Sequence, residues 1–350
     1  MNESTTVQDF FGLREQPFAA TADPAYFYAT ATHRECLFRL WNSVDERHGI
    51  AVVLGNYGTG KTTLLRKLLT AMRSEPNRYT TGVIACPIPS WTSFSLLEAI
   101  SRQFGLKPGQ QSFVSHVEAL YRHLYASRNR IMTLVIDDAQ NLNKRGQLEL
   151  LRLVQNLETS QHKLLNLVLF AQMEWIPVLR AAPNFEQRIN MTYVLDALSI
   201  EETRDLVEFR IRQAGGGERA PLFDDNAIQA LHAYAEGSPR ITINLCRNAL
   251  LLAAQLRTRH IGHGVILHTI QKTTLPDEQR HLRVVDALGL LEPEPATVDP
   301  PSTVVKLHEE APMPRSGQSR ASQLLLKAAR TNPTWSALTG THDAGRAQRA

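Results

Sequence analysis

Hydrophobic positions follow two regimes along the chain. Between residues 48 and 197, short apolar runs alternate with stretches whose apolar residues recur every three or four positions. The runs are "IAVVLG", "TTGVIACPI", "IMTLVIDDAQ", "LLNLVLFAQ" and "NMTYVLDAL". Runs that stay apolar at successive positions mark strands buried on both faces. Helices are expected near 61–73, over "TSFSLLEAISRQFG", near 113–127, and over "GQLELLRLVQNLE". Strand and helix in alternation predict an α/β fold: a five-stranded parallel sheet with helices on both faces.

The flanks read differently. Residues 1–47 contain "DFFGLREQPFAATADPAYFYATATHREC", an extended, aromatic-rich lead-in ending in a helix near 32–46. After Ala197 the strand-like runs stop. "SIEETRDLVEFRIRQAG", "DDNAIQALHAYAEG", "SPRITINLCRNALLLAAQL" and "GHGVILHTIQKTT" read as four helices, with serine or aspartate opening several and glycine closing several. Ser199 followed by Glu202 has capping-box spacing. The expected organisation is a lead-in (1–47), an αβα core (48–197), a small helical lid (198–276) and a C-terminal helix with tail (277–350). From about residue 291 the chain is proline-rich and weakly hydrophobic, the composition of a disordered segment. Within it, "SQLLLKAARTNPTW", which includes Trp335, is a candidate short helix.

Composition narrows the class. The chain has 350 residues, 43% hydrophobic and 21% charged, ordinary for a globular protein with a sizeable core. The net charge of +4 and a pI near 9.0 permit an anionic partner. Cys36, Cys86 and Cys246 are far apart and form no C-x-x-C pair, which argues against zinc and a disulfide framework. The N-terminus lacks the pattern of a signal peptide, and no apolar run approaches the ~20 residues of a membrane helix. A cytoplasmic protein is expected.

The first run leads into "GNYGTGKT", Gly55–Thr62, which fits G-x-x-x-x-G-K-[ST]. Such a loop turns its backbone N–H groups inward around phosphate oxygens. Gly55, Asn56, Tyr57, Gly58, Thr59 and Gly60 form the cradle here, followed by Lys61, Thr62 and Thr63. Lys61 supplies charge to the β- and γ-phosphates, and the Thr62 hydroxyl is a Mg²⁺ ligand. The positive end of the following helix faces the anion. The implied ligands are ATP and Mg²⁺. This chemistry needs a carboxylate at a neighbouring strand end, and "TLVIDDAQ" provides Asp137 for the metal. Asp138 is placed to polarise an attacking water, or else caps the strand into a polar loop. Gln172, ending the fourth run, can orient water if its strand lies beside the acids.

Two arginines are candidates for the γ-phosphate. Arg240, in "EGSPR", can act in cis from the lid, and Arg188, in "NFEQRIN", can act in trans from a neighbouring subunit. The alternative for each is a surface salt bridge.

In this order these features resemble an AAA+ ATPase. More narrowly, "FFGLREQPF", "HRE", "DDAQNL", "LRLVQNLET" and "GSPRITINLCRNALL" resemble the ExeA/GspA group over residues 9–272. The related TnsC/TniB transposition ATPases share the core. The resemblance implies nucleotide between core and lid, and a lead-in from Phe27 to Arg34 near the adenine. It also implies self-assembly into rings or filaments, with Arg188 as the finger crossing between subunits and Arg240 as sensor 2. The group usually has glutamate where this chain has Asp138. That carboxylate is one methylene shorter, which predicts slow hydrolysis and a switch-like protein. Secretion-type GspA proteins continue into a membrane span and a periplasmic peptidoglycan-binding domain. This sequence shows neither, so direct work on the cell wall is not expected.

Three functions follow as expectations. The first is a transposition regulator that assembles on duplex DNA and recruits a transposase, with the tail as recruiting peptide. Trp91 and Thr92 of "PIPSWTSF" and Lys144 and Arg145 of "NLNKRGQ" would then meet phosphates in a pore. Otherwise Trp91 packs in a groove and the two basic residues solvate a helix start. The second is an assembly ATPase of a secretion, pilus or polysaccharide-export system. The third is a nucleotide-dependent scaffold that does not hydrolyse.

Overall fold

The computed structural model describes residues 6–19, 23–107, 112–216 and 221–289. The segment around Trp335 and the rest of the tail from residue 290 lie outside the described residues. The described chain divides into two units. One contains residues 23–198 with Ser238–Arg240, and the other contains 6–19, 199–237 and 241–289.

The first unit is the expected sheet. Its strands are β1 (Ile50–Gly55), β2 (Tyr79–Ile84), β3 (Ile131–Ile136), β4 (Asn166–Ala171) and β5 (Ile189–Leu195). All neighbours pair in parallel, in the order β2-β3-β4-β1-β5. The three inner strands are buried at every position, whereas β2 and β5 are partly exposed along their length. This is why the inner strands read as continuous apolar runs.

Side chains alternate between two cores, following the period of two along each strand. Ile50, Val52 and Leu54 of β1 join Leu134 and Leu169 in a core with α4 (Ser93–Gln103), α5 (Phe113–Ala126) and α6 (Arg145–Gln155). Ala51 and Val53 face the other way, toward α2 (Ala31–Asp45) and α3 (Lys61–Arg73). Asn166, at the start of β4, is buried. Its Oδ1 accepts from the Gly49 N–H (3.2 Å) and its Nδ2 donates to the Val44 carbonyl (3.0 Å). One amide thus fixes the α2–β1 turn against β4, and both its oxygen and its nitrogen have a partner where a bare polar group would be costly to bury.

Two short helices, α7 (Ile176–Arg180) and α8 (Pro183–Glu186), join β4 to β5. Trp175, just before α7, has no exposed surface, and its indole N–H donates to the Leu142 carbonyl at 3.0 Å. This bond ties the loop after β4 to the loop after β3.

The second unit contains α1 (Val7–Phe11), α9 (Ile200–Gln213), α10 (Asp225–Ala235), most of α11 (Pro239–Gln255), α12 (His263–Thr273) and α13 (Glu278–Ala287). α10 packs against α9, α12 and α13. The expected capping box opens α9: the Glu202 N–H donates to Ser199 Oγ and the Ser199 N–H to Glu202 Oε2, both at 3.1 Å. Residues 13–18 are tied in by a bond from the Arg14 N–H to the Ala214 carbonyl (2.7 Å). Arg210 adds a bond to the Pro17 carbonyl (3.0 Å), and Phe18 sits edge-on to Phe223. Among the described residues, no helix is long and apolar enough to cross a membrane. All three cysteines are free thiols.

Candidate functional site

The C-terminal ends of β1, β4 and β3 lie side by side, so the loops after them are neighbours. The loop after β1 turns at glycines whose geometry other residues adopt at a cost. Gly58 and Gly60 have φ of 77° and 93°. A side chain on Gly58 would lie 2.6 Å from Ser238 Oγ and 2.8 Å from Arg240 Cβ. Thr59 is buried, and its hydroxyl closes the turn on the Asn56 carbonyl at 3.0 Å. Tyr57 points outward and is 70% exposed. Gly60 is the N-cap of α3, which has no side-chain cap. Its first-turn N–H groups are thereby left for an anion.

Lys61 is only 8% exposed, and its ammonium donates to the Gly55 and Asn56 carbonyls at 2.7 and 2.8 Å. Burial pushes its pKa down, while Asp137 and Asp138 counteract this. The carbonyls hold the ammonium inside the loop that phosphates would enter, in the manner of a stand-in ligand.

The Thr62 hydroxyl donates to Asp137 Oδ2 at 2.8 Å. Asp137 is 6% exposed. Burial raises its pKa, the Thr62 hydrogen bond opposes this, and the Asp138 charge raises it further. A hydroxyl and a destabilised buried carboxylate in contact, beside an uncapped helix start, fit a divalent cation shared with phosphate oxygens. The set therefore fits Mg²⁺ with a nucleoside triphosphate. Among the described residues, no group of three or more His, Cys, Asp or Glu could hold a metal by itself.

Asp138 adopts a left-handed backbone, φ 50°, which is uncommon for a residue other than glycine. Its N–H donates to Asp137 Oδ1 at 3.1 Å. Gln140 uses both ends of its amide. Its Nε2 donates to Asp138 Oδ1 (3.1 Å), and its Oε1 accepts from the Gln172 N–H (3.2 Å). β4 does pair with β3, so buried Gln172 lies beside the acids as its sequence position anticipates. Gln140 is the residue that sequence reasoning missed. Its only signal was membership of the "DDAQ" run.

The remaining candidates separate. Arg240 is exposed and next to Gly58, and Ser238 Oγ lies 3.4 Å from the Tyr57 carbonyl. Arg188 precedes β5 and is therefore at the opposite end of the sheet from the phosphate loop, with about 20 Å of strand between them. Its guanidinium donates to Asn156 Oδ1 at 2.7 Å. It does not reach the loop of its own chain. Thr63 is half-buried in the first turn of α3. Phe27 packs against the α2–α3 core, and exposed Arg34 bonds back to the Ala29 carbonyl. Trp91 packs against the other core, and its carbonyl accepts from Gln147 Nε2 at 3.0 Å. Thr92 caps α4, accepting from the Ser95 N–H at 3.1 Å. Of the four proposed nucleic-acid contacts, Lys144 and Arg145 at the start of α6 are exposed cations.

Comparisons with known proteins agree with this fold. A family described as AAA domain matches residues 44–179. The general secretion pathway protein A of Aeromonas hydrophila is 36% identical over 262 residues, covering 73% of this chain and 46% of that protein. The chain thus spans about half the length of this curated relative. Among solved structures, the ORC2 protein of Aeropyrum pernix superposes with a TM-score of 0.56 at 18% identity, over 75% of this chain and 73% of that one. Cdc6p from Pyrobaculum aerophilum gives 0.56 at 18%, over 74% and 73%. The Aeropyrum pernix ORC1 protein, in complex with DNA, gives 0.54 at 20%, over 74% and 69%. At these identities the likeness is one of fold. The fold is that of an AAA-type P-loop ATPase, and the sequence is similar to ExeA/GspA proteins.

Proposed function

We propose that this chain is an ATP-driven assembly ATPase of a secretion or envelope system. The observation that carries the ATPase reading is the Thr62–Asp137 hydrogen bond, which joins the phosphate loop after β1 to the acid after β3. ATP displaces the loop carbonyls from Lys61 and takes their place. Thr62 and Asp137 would hold Mg²⁺, which would neutralise charge on the phosphates. Asp138 accepts the proton of a water whose oxygen bonds to the γ-phosphorus as the bond to the β–γ bridging oxygen breaks, releasing ADP and phosphate, and Gln140 holds that carboxylate toward the Gln172 strand end. The short reach of aspartate makes turnover slow, so the nucleotide acts as a timer for assembly. Arg240 serves the loop in cis. Arg188 serves the loop of a neighbouring subunit, consistent with its distance from its own.

The secretion reading takes precedence over transposition because the 36% identical relative is a secretion-pathway protein. A second reading is assembly on duplex DNA. It is favoured by Lys144 and Arg145, exposed beside the Trp91 loop that Gln147 ties to α6, and by the DNA-bound state of a fold neighbour. A transposase partner belongs to this reading.

The test mixes subunits. Lys61→Ala and Arg188→Ala proteins should each lack turnover, and their mixture should recover part of it, because one supplies the loop and the other the arginine. A mixture as inactive as its components would sink the shared site. Negative-stain imaging with an ATP analogue separates the two readings. Assembly without DNA supports the secretion type. Assembly only on DNA, weakening steeply with salt, supports the other. Absence of turnover in the wild type would leave a non-hydrolysing scaffold.

A further inference from the structure

His33 lies in the first turn of α2, is only 3% exposed, and touches the phosphate loop. Its Nε2 is 3.0 Å from the Thr59 carbonyl oxygen. Its Nδ1 is 2.7 Å from the hydroxyl of buried Thr30. A carbonyl can only accept, so Nε2 carries the proton, and in the neutral ring Nδ1 then accepts from Thr30. Thr30 is in turn the N-cap of α2, accepting from the His33 N–H at 3.2 Å, and its hydroxyl lies 2.7 Å from that of Thr32. Phe27 sets its ring edge-on to the imidazole, with centroids 5.2 Å apart. Helix cap, aromatic wall and hydroxyl relay together hold one tautomer in one orientation.

The Thr59–Gly60 peptide is trans, so its carbonyl and its N–H point in opposite directions within one plane. Fixing the carbonyl on His33 fixes the Gly60 N–H in the opposite direction, on the side away from the imidazole. A side chain on Gly60 would lie 3.0 Å from His33 Nε2, so the imidazole also closes the outer side of the loop. We propose that His33 is a positioning residue for phosphate binding: its Nε2–H orients the Thr59–Gly60 peptide so that the Gly60 N–H faces the phosphates. The role concerns the phosphates, whereas the lead-in was expected to serve the adenine. The inference rests on the nucleotide-binding reading above, though not on hydrolysis.

The test is a titration of ADP and ATP with Mg²⁺ against His33→Gln and His33→Phe, with Lys61→Ala as control. The amide nitrogen of glutamine reaches the place of Nε2 and can donate to Thr59. Phenylalanine keeps the ring and loses the donor. Phenylalanine should weaken both nucleotides about tenfold, the scale of one lost hydrogen bond, and glutamine should stay within about threefold of wild type. Equal losses in both variants, or none in His33→Phe, would overturn the proposal while nucleotide binding by the wild type stands. A wild type that binds neither nucleotide overturns both. Nitrogen-15 NMR of the imidazole is a second measurement that needs no variant to fold. A protonated Nε2 with bare Nδ1, unchanged by ADP, is expected, and a protonated Nδ1 would refute the geometry.

Discussion

Asp137→Asn separates what the site does for stability from what it does for nucleotide. The wild-type carboxylate is buried, and its pKa is raised chiefly by that burial. For an acid, a raised folded pKa means that the folded state binds the proton more tightly than the unfolded chain. Stability is therefore present below the ordinary carboxyl range, near about 4, and is lost as pH rises through the folded value. At neutral pH the apo protein carries this cost. Asparagine removes it and keeps an oxygen for the Thr62 hydroxyl. It puts at risk only the Asp138 N–H bond, worth about 1 kcal/mol. Apo Tm at pH 7 should thus be unchanged or a few degrees higher, with the difference shrinking toward pH 4. Saturating ATP with Mg²⁺ should behave oppositely. A ligand at 100 times its Kd adds about 2.7 kcal/mol, and for a unit of this size each kcal/mol moves Tm by about 2–4 °C. The wild type should gain about 5–10 °C, and Asp137→Asn about none. Differential scanning fluorimetry across pH, with and without nucleotide, reads both effects. A variant that keeps the full ATP shift would refute the metal role. A variant that loses several degrees as apo protein would mean that the carboxylate is a structural hub.

Other outcomes are expected at separate points of the site and core. Gly58→Ala must hold a positive φ and displace Ser238 and Arg240, so ADP affinity measured by calorimetry should fall about tenfold or more, the scale of a left-handed backbone penalty. Gln140→Leu frees the Asp138 carboxylate while leaving Lys61 and Thr62 in place, so steady-state kinetics should show a reduced kcat with KM for ATP unchanged. Trp175→Ala empties a fully buried site and orphans the Leu142 carbonyl, costing about 3–5 kcal/mol in urea unfolding.

Much of the sheet and half of the site are local in sequence. "IAVVLG" and "LVLFA" are apolar at successive positions because β1 and β4 are covered on both faces. The phosphate loop shows itself because strand, glycine spacing, lysine and helix start are contiguous. Asp137 was legible for the same reason, as an acid ending an apolar strand. Gln140 was not, because its meaning depends on which strand lies beside β3, and sheet order leaves no trace in hydrophobic period. His33 was hidden too. It sits on a polar-looking "THRE" turn, and its partner, Thr59, lies across another loop. Phe18 and Phe223 meet inside the helical unit although all five strands of the sheet lie between them in sequence, a pairing that no local pattern discloses. Thr92, read as a candidate phosphate contact, has a second role that the sequence reading did not name, as the cap of α4.

The left-handed backbone at Asp138 decides which substitutions can test the proposed hydrolysis cleanly. Asparagine tolerates that conformation, so Asp138→Asn removes the charge and leaves the peptide where it is. Alanine adds about 1 kcal/mol or more of backbone strain at the same position, and a slower variant would then confound chemistry with distortion. Asparagine is therefore the substitution that tests the proposed role of this carboxylate without moving the peptide. The same backbone is a hurdle for glutamate at this position, whose longer side chain comes with a poorer fit to that turn.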